Sequence, residues 1–477
     1  MASVITRDIA DKVAVTRQAL QAKGLSITTA AQTSEYAVEQ QTPWSQACWL
    51  PSACYVRPQS PDEVTATLAI LKENGVVFAV RSTGHNPIPK VSSVDQAGIL
   101  IDLQNLNHLS LGEDGTVQVG GGAKWGDIYT FVEKRGRSIM GARNLGVGVG
   151  GYTLGGGMPA FPNLHGLPAD NVKNFEVVLG NSAIVNANAN TNSDLWKALK
   201  GGGTNFGIVT RFDIQTHPLI KTKYAVHVYD PVDYENILKA TVQVQESMED
   251  DPKIGLFVSF QPKAVAVGLL YADVPDEIPK AFQPFLQLSS LLTKAVEWTD
   301  GTDSTIKSLV SSIQFAPPSA RRTQSATTMK VDLDLYIKAH RLYIEKLKTA
   351  VSDIFYTIQP LSSRAVQQGE EKGDNIMGIP KLAQNWWAGA SSWHDASLDE
   401  AAFAEVDELR IAVEKAAEGQ GMKLEYAFMN DASPIQTVLD TYGDANLKLM
   451  RDVSTRYDEE QVFQKLQNGG YLLRNIA

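Results

Sequence analysis

The sequence predicts a protein of mixed helix and strand built as more than one domain, on three observations. Its 477 residues exceed what one hydrophobic core ordinarily serves. A strand, a helix and a second strand follow one another between residues 54 and 80, each with its own boundary signal. Near residue 218 the character changes: glycine thins out, and amphipathic helices begin to alternate with strands.

Residues from about 5 to 40 read as a helix followed by a polar connector. Cys54-Tyr55-Val56 is a short strand signal that stops before Pro58. Ser60-Pro61-Asp62-Glu63 opens a helix, with Ser60 as N-cap, Pro61 at the first helical position and Glu63 three residues after the cap. Its apolar face runs through Val64, Leu68 and Leu71, and it stops near Gly75. The run 76–80 is apolar throughout, as in a buried strand. Short strands are expected over Gly98–Asp102 and 117–119, then a helix over 125–135. Strands near 174–179 and 206–214 flank a short helix at 195–199. Beyond 218 the expected elements include helix 233–249, strands 254–260 and 264–271, helices 333–353 and 397–419, and strand 423–429. The tail from Tyr442 reads as helical. The chain therefore divides into a glycine-rich binding domain, 1–217, an α/β domain, 218–430, and a short return, 431–477.

Hydrophobic residues make up 43% and charged residues 20%, ordinary for a globular protein in water. The net charge of -10, with no block of Lys and Arg, argues against nucleic acid and anionic membranes as partners. Charges interrupt the first residues, no stretch is long and apolar enough to span a bilayer, and there is no Asn-x-Ser/Thr acceptor. A cytoplasmic location is the expectation. Two cysteines, Cys48 and Cys54, make neither a disulfide framework nor a zinc site, and the seven histidines lack ligand spacing, so no metal is expected.

Two motifs carry chemistry. The tract Gly146-Val147-Gly148-Val149-Gly150-Gly151-Tyr152-Thr153-Leu154-Gly155-Gly156-Gly157 allows close backbone approach, and its successive N–H groups suit a pyrophosphate. A structural loop or sheet corner fits the same composition. Arg81-Ser82-Thr83-Gly84-His85 ends a strand with phosphate-binding residue types and an imidazole that could ligate or attack an electrophile. A lone loop histidine is as readily inert.

Together and in this order, these segments resemble the berberine-bridge-enzyme-like branch of the vanillyl-alcohol-oxidase flavoproteins, especially fungal members. Pro58, Ser60, Glu63 and Val64 match one short motif of that family. Val80 to His85 is similar to R-S-G-G-H, with Thr83 in place of the first glycine. Residues 148–157 resemble V-G-G-x-x-L-G-G-G, and Gly166 to Val172 resembles G-x-x-x-D-N-V. Residues 194–210 are close to the family's long signature, while Phe428-Met429-Asn430 and Tyr457-Asp458 with Phe463 resemble its C-terminal segment.

The resemblance implies an α+β fold: a PCMH-type FAD-binding domain of two α+β subdomains, completed by the C-terminal return, and a substrate domain whose antiparallel sheet is backed by helices. It implies FAD attached through the 8α position to His85, with Asn144 where many members carry a second, cysteinyl attachment. Cofactor contacts are expected from Arg81, Ser82, Thr83, Gly84, Asn86, Val147, Gly148, Gly151, Tyr152, Gly155, Asn171, Val172, Gly207, Ile208, Val209 and Asn430. Val147 falls where members have a small residue admitting oxygen, which favours O2 as electron acceptor; a valine packing a tight loop explains it equally.

Alternation along 423–430 groups Tyr426 and Phe428 with Asn430, making Tyr426 the candidate base and Glu425 the second choice if the register slips by one. A buried tyrosine giving one hydrogen bond is the plainer reading of Tyr426. Trp386, Trp387, Trp393 and His394 fit either pocket or core, and His165 is a further pocket candidate. The expected activity is FAD-dependent oxidation of a small or medium organic molecule in specialised-metabolite biosynthesis. Carbohydrate oxidation and a non-redox isomerisation or cyclisation on a flavin scaffold are the alternatives.

Overall fold

The computed structural model describes residues 6–312 and 320–476, so the expected helix start at residue 5 lies outside the described residues. In the first sheet Gly98–Asp102 lies between Cys54–Val56 and Val77–Arg81 and pairs parallel with both. The helix Pro61–Asn74 makes the crossover. Ser60 Oγ accepts from the Glu63 N–H, and Gly75 closes the helix at a left-handed φ of 61°. Val64, Leu68 and Leu71 face the sheet with no solvent exposure. Each such side chain contributes about 1.5–3 kcal/mol by leaving water.

A second, antiparallel sheet has the order Leu109–Leu111, Thr116–Gly120, Ile208–Gln215, Val172–Val178, Ile184–Asn188. The C-terminal segment returns to both sheets. Phe78 N–H donates to Leu466 O and Phe78 O accepts from Asn468 N–H, at 2.9 and 2.7 Å. Phe463 packs edge-on against Phe78. The two Asp458 carboxylate oxygens accept from the Val462 and Phe463 N–H groups, and Tyr457 donates to Asp194.

The third large sheet has eight antiparallel strands, the first Leu291–Thr302 and the last Lys423–Leu424. One face packs on the helices Tyr234–Ser247, Leu333–Leu347 and Asp399–Glu418. Alternation along two central strands puts Leu256, Val258, Phe260, Ile354, Tyr356 and Ile358 into that core. The intervening Phe257, Ser259, Phe355 and Thr357 face the other way, toward the first two sheets. Among the described residues no helix is long and apolar enough to cross a membrane.

The helix expected over 333–353 stops at Leu347, before the strand Asp353–Leu361, and the polar connector expected after the first helix carries a second helix, Thr33–Gln41. The expected strand 423–429 fails more completely. Only Lys423 and Leu424 pair, with Met329 and Thr328, and the chain then turns away to a 3-10 turn at Met429–Asp431. The rings of Tyr426 and Phe428 leave the sheet edge to pack on Trp386, at 5.2 and 4.4 Å between centroids. Aromatic burial here outweighs local strand preference.

Candidate active site

A cavity of about 430 Å³ lies between the first two sheets and the large one. Its loop wall comes from 82–86, the glycine tract and 207–209, and its sheet wall from Phe257, Ser259, Gln324, Phe355 and Thr357. Met429, Asn430 and Asp431 close one side, and Gln467, Gly470 and Tyr471 of the C-terminal return close another.

On the loop wall His85 is partly buried. Its ring stacks on Trp44, with centroids 4.5 Å apart and planes 12° from parallel. The Arg322 guanidinium also rests on Trp44, 4.4 Å from the ring centroid. Burial, with help from the Arg322 charge, lowers the His85 pKa to about 4, so the imidazole is neutral at pH 7. A neutral imidazole keeps a nitrogen lone pair for attack on an electrophile.

Gly148 packs where a side chain would collide: a Cβ there would stand 2.5 Å from Ser82 Oγ and 2.8 Å from Thr83. At Gly151, by contrast, a Cβ would meet nothing within 4 Å and would take up open space in the cavity. The hydroxyls brace this tract. Ser82 Oγ donates to Gly121 O at 2.7 Å, and Thr83 Oγ1 donates to Gly146 O at 3.3 Å. Asn430 Oδ1 accepts from Gly157 N–H at 3.0 Å.

On the sheet wall the Gln359 amide joins two charged groups. Its Oε1 accepts from Arg143, and its Nε2 donates to Asp431 Oδ2 at 2.7 Å. Burial raises the Asp431 pKa; the Gln359 hydrogen bond and the Arg143 charge pull the other way without cancelling it. The carboxylate is therefore more basic than a solvated aspartate.

Most of the expected cofactor residues line this cavity: Ser82, Thr83, Gly84, His85, Asn86, Val147, Gly148, Gly151, Tyr152, Gly207, Ile208, Val209 and Asn430. Four do not. Arg81 is buried beneath it, where Nε donates to Asp102 at 2.7 Å and the guanidinium also meets Glu39, so it is consumed in an internal ion pair and holds no phosphate. Asn171 is tied to His165 O, Leu167 O, His217 and Lys372. Val172 O accepts from the Trp196 indole. Gly155 faces the Asn430 carboxamide, 2.7 Å from where its Cβ would stand.

Both candidate bases also stand outside the cavity lining. Tyr426 is 1% exposed, its phenol touches Met377 Sδ at 3.5 Å, and burial pushes its pKa well up, the wrong direction for a base. Glu425 is exposed on the outer surface. Trp386 and Trp387 belong to the two main cores, Trp393 donates to Asp399, and His394 is exposed. His165 stacks on His217 at 3.6 Å, away from the cavity. Cys48 and Cys54 are buried, and burial pushes both thiols up to about 12.

Sequence reading missed Trp44, Arg143, Gln359 and Asp431. Asp431 follows Asn430 directly, and the burial of Phe428 brings both to the cavity edge. Arg143, one residue before Asn144, has no local signal of its own.

A family profile described as "FAD binding domain" matches residues 51–188. An FAD-dependent monooxygenase of Arthrobotrys oligospora is 33% identical over 444 residues, covering 92% of this chain and 86% of that one. The chain belongs to the berberine-bridge-enzyme-like FAD-linked oxidoreductases. Solved structures agree on the fold of this flavoprotein. 6-Hydroxy-D-nicotine oxidase from Arthrobacter nicotinovorans superposes with a TM-score of 0.80 at 18% identity, covering 93% of this chain and 97% of that one. Glucooligosaccharide oxidase from Acremonium strictum, described with a 6-S-cysteinyl, 8α-N1-histidyl FAD, gives 0.79 at 16%, covering 94% and 97%. This flavoprotein is thus an FAD-linked oxidoreductase. The open space at Gly151 and the neutral imidazole of His85 on one cavity wall fit the cofactor.

Proposed function

We propose that this enzyme carries FAD on His85 alone and oxidises a small or medium organic molecule of specialised metabolism, with O2 as the electron acceptor. One observation carries the reading: His85 and Asp431 line the same cavity, one on the loop wall and the other at the edge of the sheet wall. FAD, when bound, supplies the hydride acceptor. Gly151 leaves room for it, Gly148 lets the tract pack closely on Ser82 and Thr83, and the hydroxyls of those two residues tie neighbouring turns together. Asn144 supplies no thiol for a second attachment, and its side chain instead accepts from Gly146 N–H at 2.9 Å.

In this reading Asp431 takes the proton that leaves substrate along with the hydride. Its raised pKa suits that role, and Gln359 fixes the direction of its carboxylate. The aromatic side chains Phe257, Phe355 and Phe428 exclude water from the reacting face. The Arthrobotrys relative's description as a monooxygenase supports a second reading, in which an oxygen atom from O2 enters the product.

The visible spectrum of the acid-denatured protein tests the attachment. Yellow colour should stay with the polypeptide, and should separate from a His85→Ala variant. Complete separation from the wild type would sink the covalent reading. Substrate added without oxygen should bleach the flavin. Label from 18O2 should then appear in hydrogen peroxide for an oxidase, and in product for a monooxygenase.

A further inference from the structure

His85 is held differently from three other histidines. His217, His227 and His340 each hydrogen-bond through a ring nitrogen, to Asn171, Tyr229 and Tyr356. His85 is held by a ring face, in its near-parallel stack on Trp44. Stacking fixes the plane of an imidazole without engaging its nitrogens, because the lone pair lies in that plane. The Arg322 charge nearby disfavours a second positive charge on the ring.

Trp44 is itself clamped. Its N–H donates to Gly84 O at 3.0 Å, and its carbonyl accepts from the Arg322 guanidinium that lies over its ring. Beside it, Ser45 Oγ accepts from the Arg322 N–H at 2.9 Å, and the Gln46 N–H donates to Ala320 O at 3.0 Å. The main chain and Ser45 therefore anchor this loop. The indole, 38% exposed, adds little to that anchoring by burial and is left to present its face to His85. Arg322 belongs to the strand Arg321–Lys330 of the large sheet, which also sends Gln324 into the cavity. The large sheet thus reaches across to the histidine of the loop wall.

We propose that Trp44 is a positioning residue for flavin attachment, holding the His85 imidazole in a fixed plane while Arg322 holds Trp44. This rests on the covalent reading above. Attachment exchanges one hydrogen of the flavin 8α methyl and the imidazole N–H for a carbon–nitrogen bond. The two protons and two electrons released pass to O2, giving hydrogen peroxide. Neither Trp44 nor Arg322 enters that balance. They set the orientation and the charge at the nitrogen that makes the bond. A strand of the sheet wall thereby takes part in loading the cofactor.

The rate of attachment tests this, in full-length chain purified from riboflavin-starved cells and then given FAD and air. Colour retained on the polypeptide after acid denaturation measures attached flavin, and filtration before denaturation measures all flavin bound. Trp44→Leu should bind FAD as the wild type does and attach it at least about tenfold more slowly. Trp44→Phe, which keeps a ring face, should attach close to the wild-type rate. Arg322→Lys should do the same, and Arg322→Met should be slow. Attachment by Trp44→Leu at the wild-type rate overturns the inference, as does equal slowing in Trp44→Phe and Trp44→Leu. If Trp44→Leu fails to fold or to bind FAD, the Arg322 pair decides, and equal rates in Arg322→Met and Arg322→Lys overturn it. A wild type that retains no colour removes the covalent reading and this inference with it. Wild type and Trp44→Leu retaining colour equally fast strike this inference alone.

Discussion

The two walls of the cavity are built from different parts of the polypeptide. The loop wall is largely main chain. Glycines stand where a Cβ would collide or intrude, and short hydroxyl side chains tie one turn to the next. The sheet wall is side chain: Phe257 and Ser259 of Ile254–Gln261 and Phe355 and Thr357 of Asp353–Leu361 point inward by strand alternation. The loop wall suits a partner that never changes, and the sheet wall can be rewritten by substitution without disturbing the strands. In the proposed reading cofactor and substrate divide accordingly.

The sharpest way to break this division is Asp431→Asn. It should slow flavin reduction by about 10²–10⁴-fold while leaving flavin attached, as measured by anaerobic stopped flow. The wild-type rate should fall as pH drops through the elevated Asp431 pKa, because a base must be unprotonated, and the variant should lose that acid limb. Unchanged kinetics would return the base to another residue. Gly148→Val attacks the other wall. Its first side-chain atom already meets Ser82 Oγ at 2.5 Å, so the variant should lose about 1–3 kcal/mol of stability and retain little flavin, read from melting curves and the flavin-to-protein absorbance ratio.

A smaller effect concerns neither wall. Burial lowers His165 to about 4 and His217 to about 3, so both are neutral in the folded state at pH 6. The unfolded chain, titrating near 6.5, binds more protons between about pH 6.5 and 3. Their contribution to stability is thus present above pH 6.5 and lost as pH falls toward 3. His217→Asn should shrink the difference in Tm between pH 7 and pH 4.5, and an undiminished difference would count against the stacked pair. Smallest of all, Tyr426→Phe should leave kcat unchanged and shift stability by less than about 1 kcal/mol, because its phenol meets only a thioether.

Legibility in the sequence follows the same division. Ser60, Pro61 and Gly75 announce a helix through backbone rules that neighbours rarely overrule, and the helix is there. The glycine tract and the 81–85 turn announce a ligand wall for the same reason, and most of their residues line the cavity. Arg81 misled because its residue type suits a phosphate as well as it suits Glu39 and Asp102, and the partner lies 42 residues away in the chain. Tyr426 misled because strand alternation holds only while the strand is paired, and pairing stops at Leu424. Arg143, Gln359 and Asp431 meet through hydrogen bonds spanning 216 and 72 residues, and no local pattern encodes that meeting.

The C-terminal return has a consequence for the order of assembly. Gln467, Gly470 and Tyr471 complete the cavity, and Phe78 in the first sheet pairs its main chain with Leu466 and Asn468. The cavity is therefore closed by a contact between segments far apart in sequence, and the first sheet and the cavity rim are completed by the same stretch of chain.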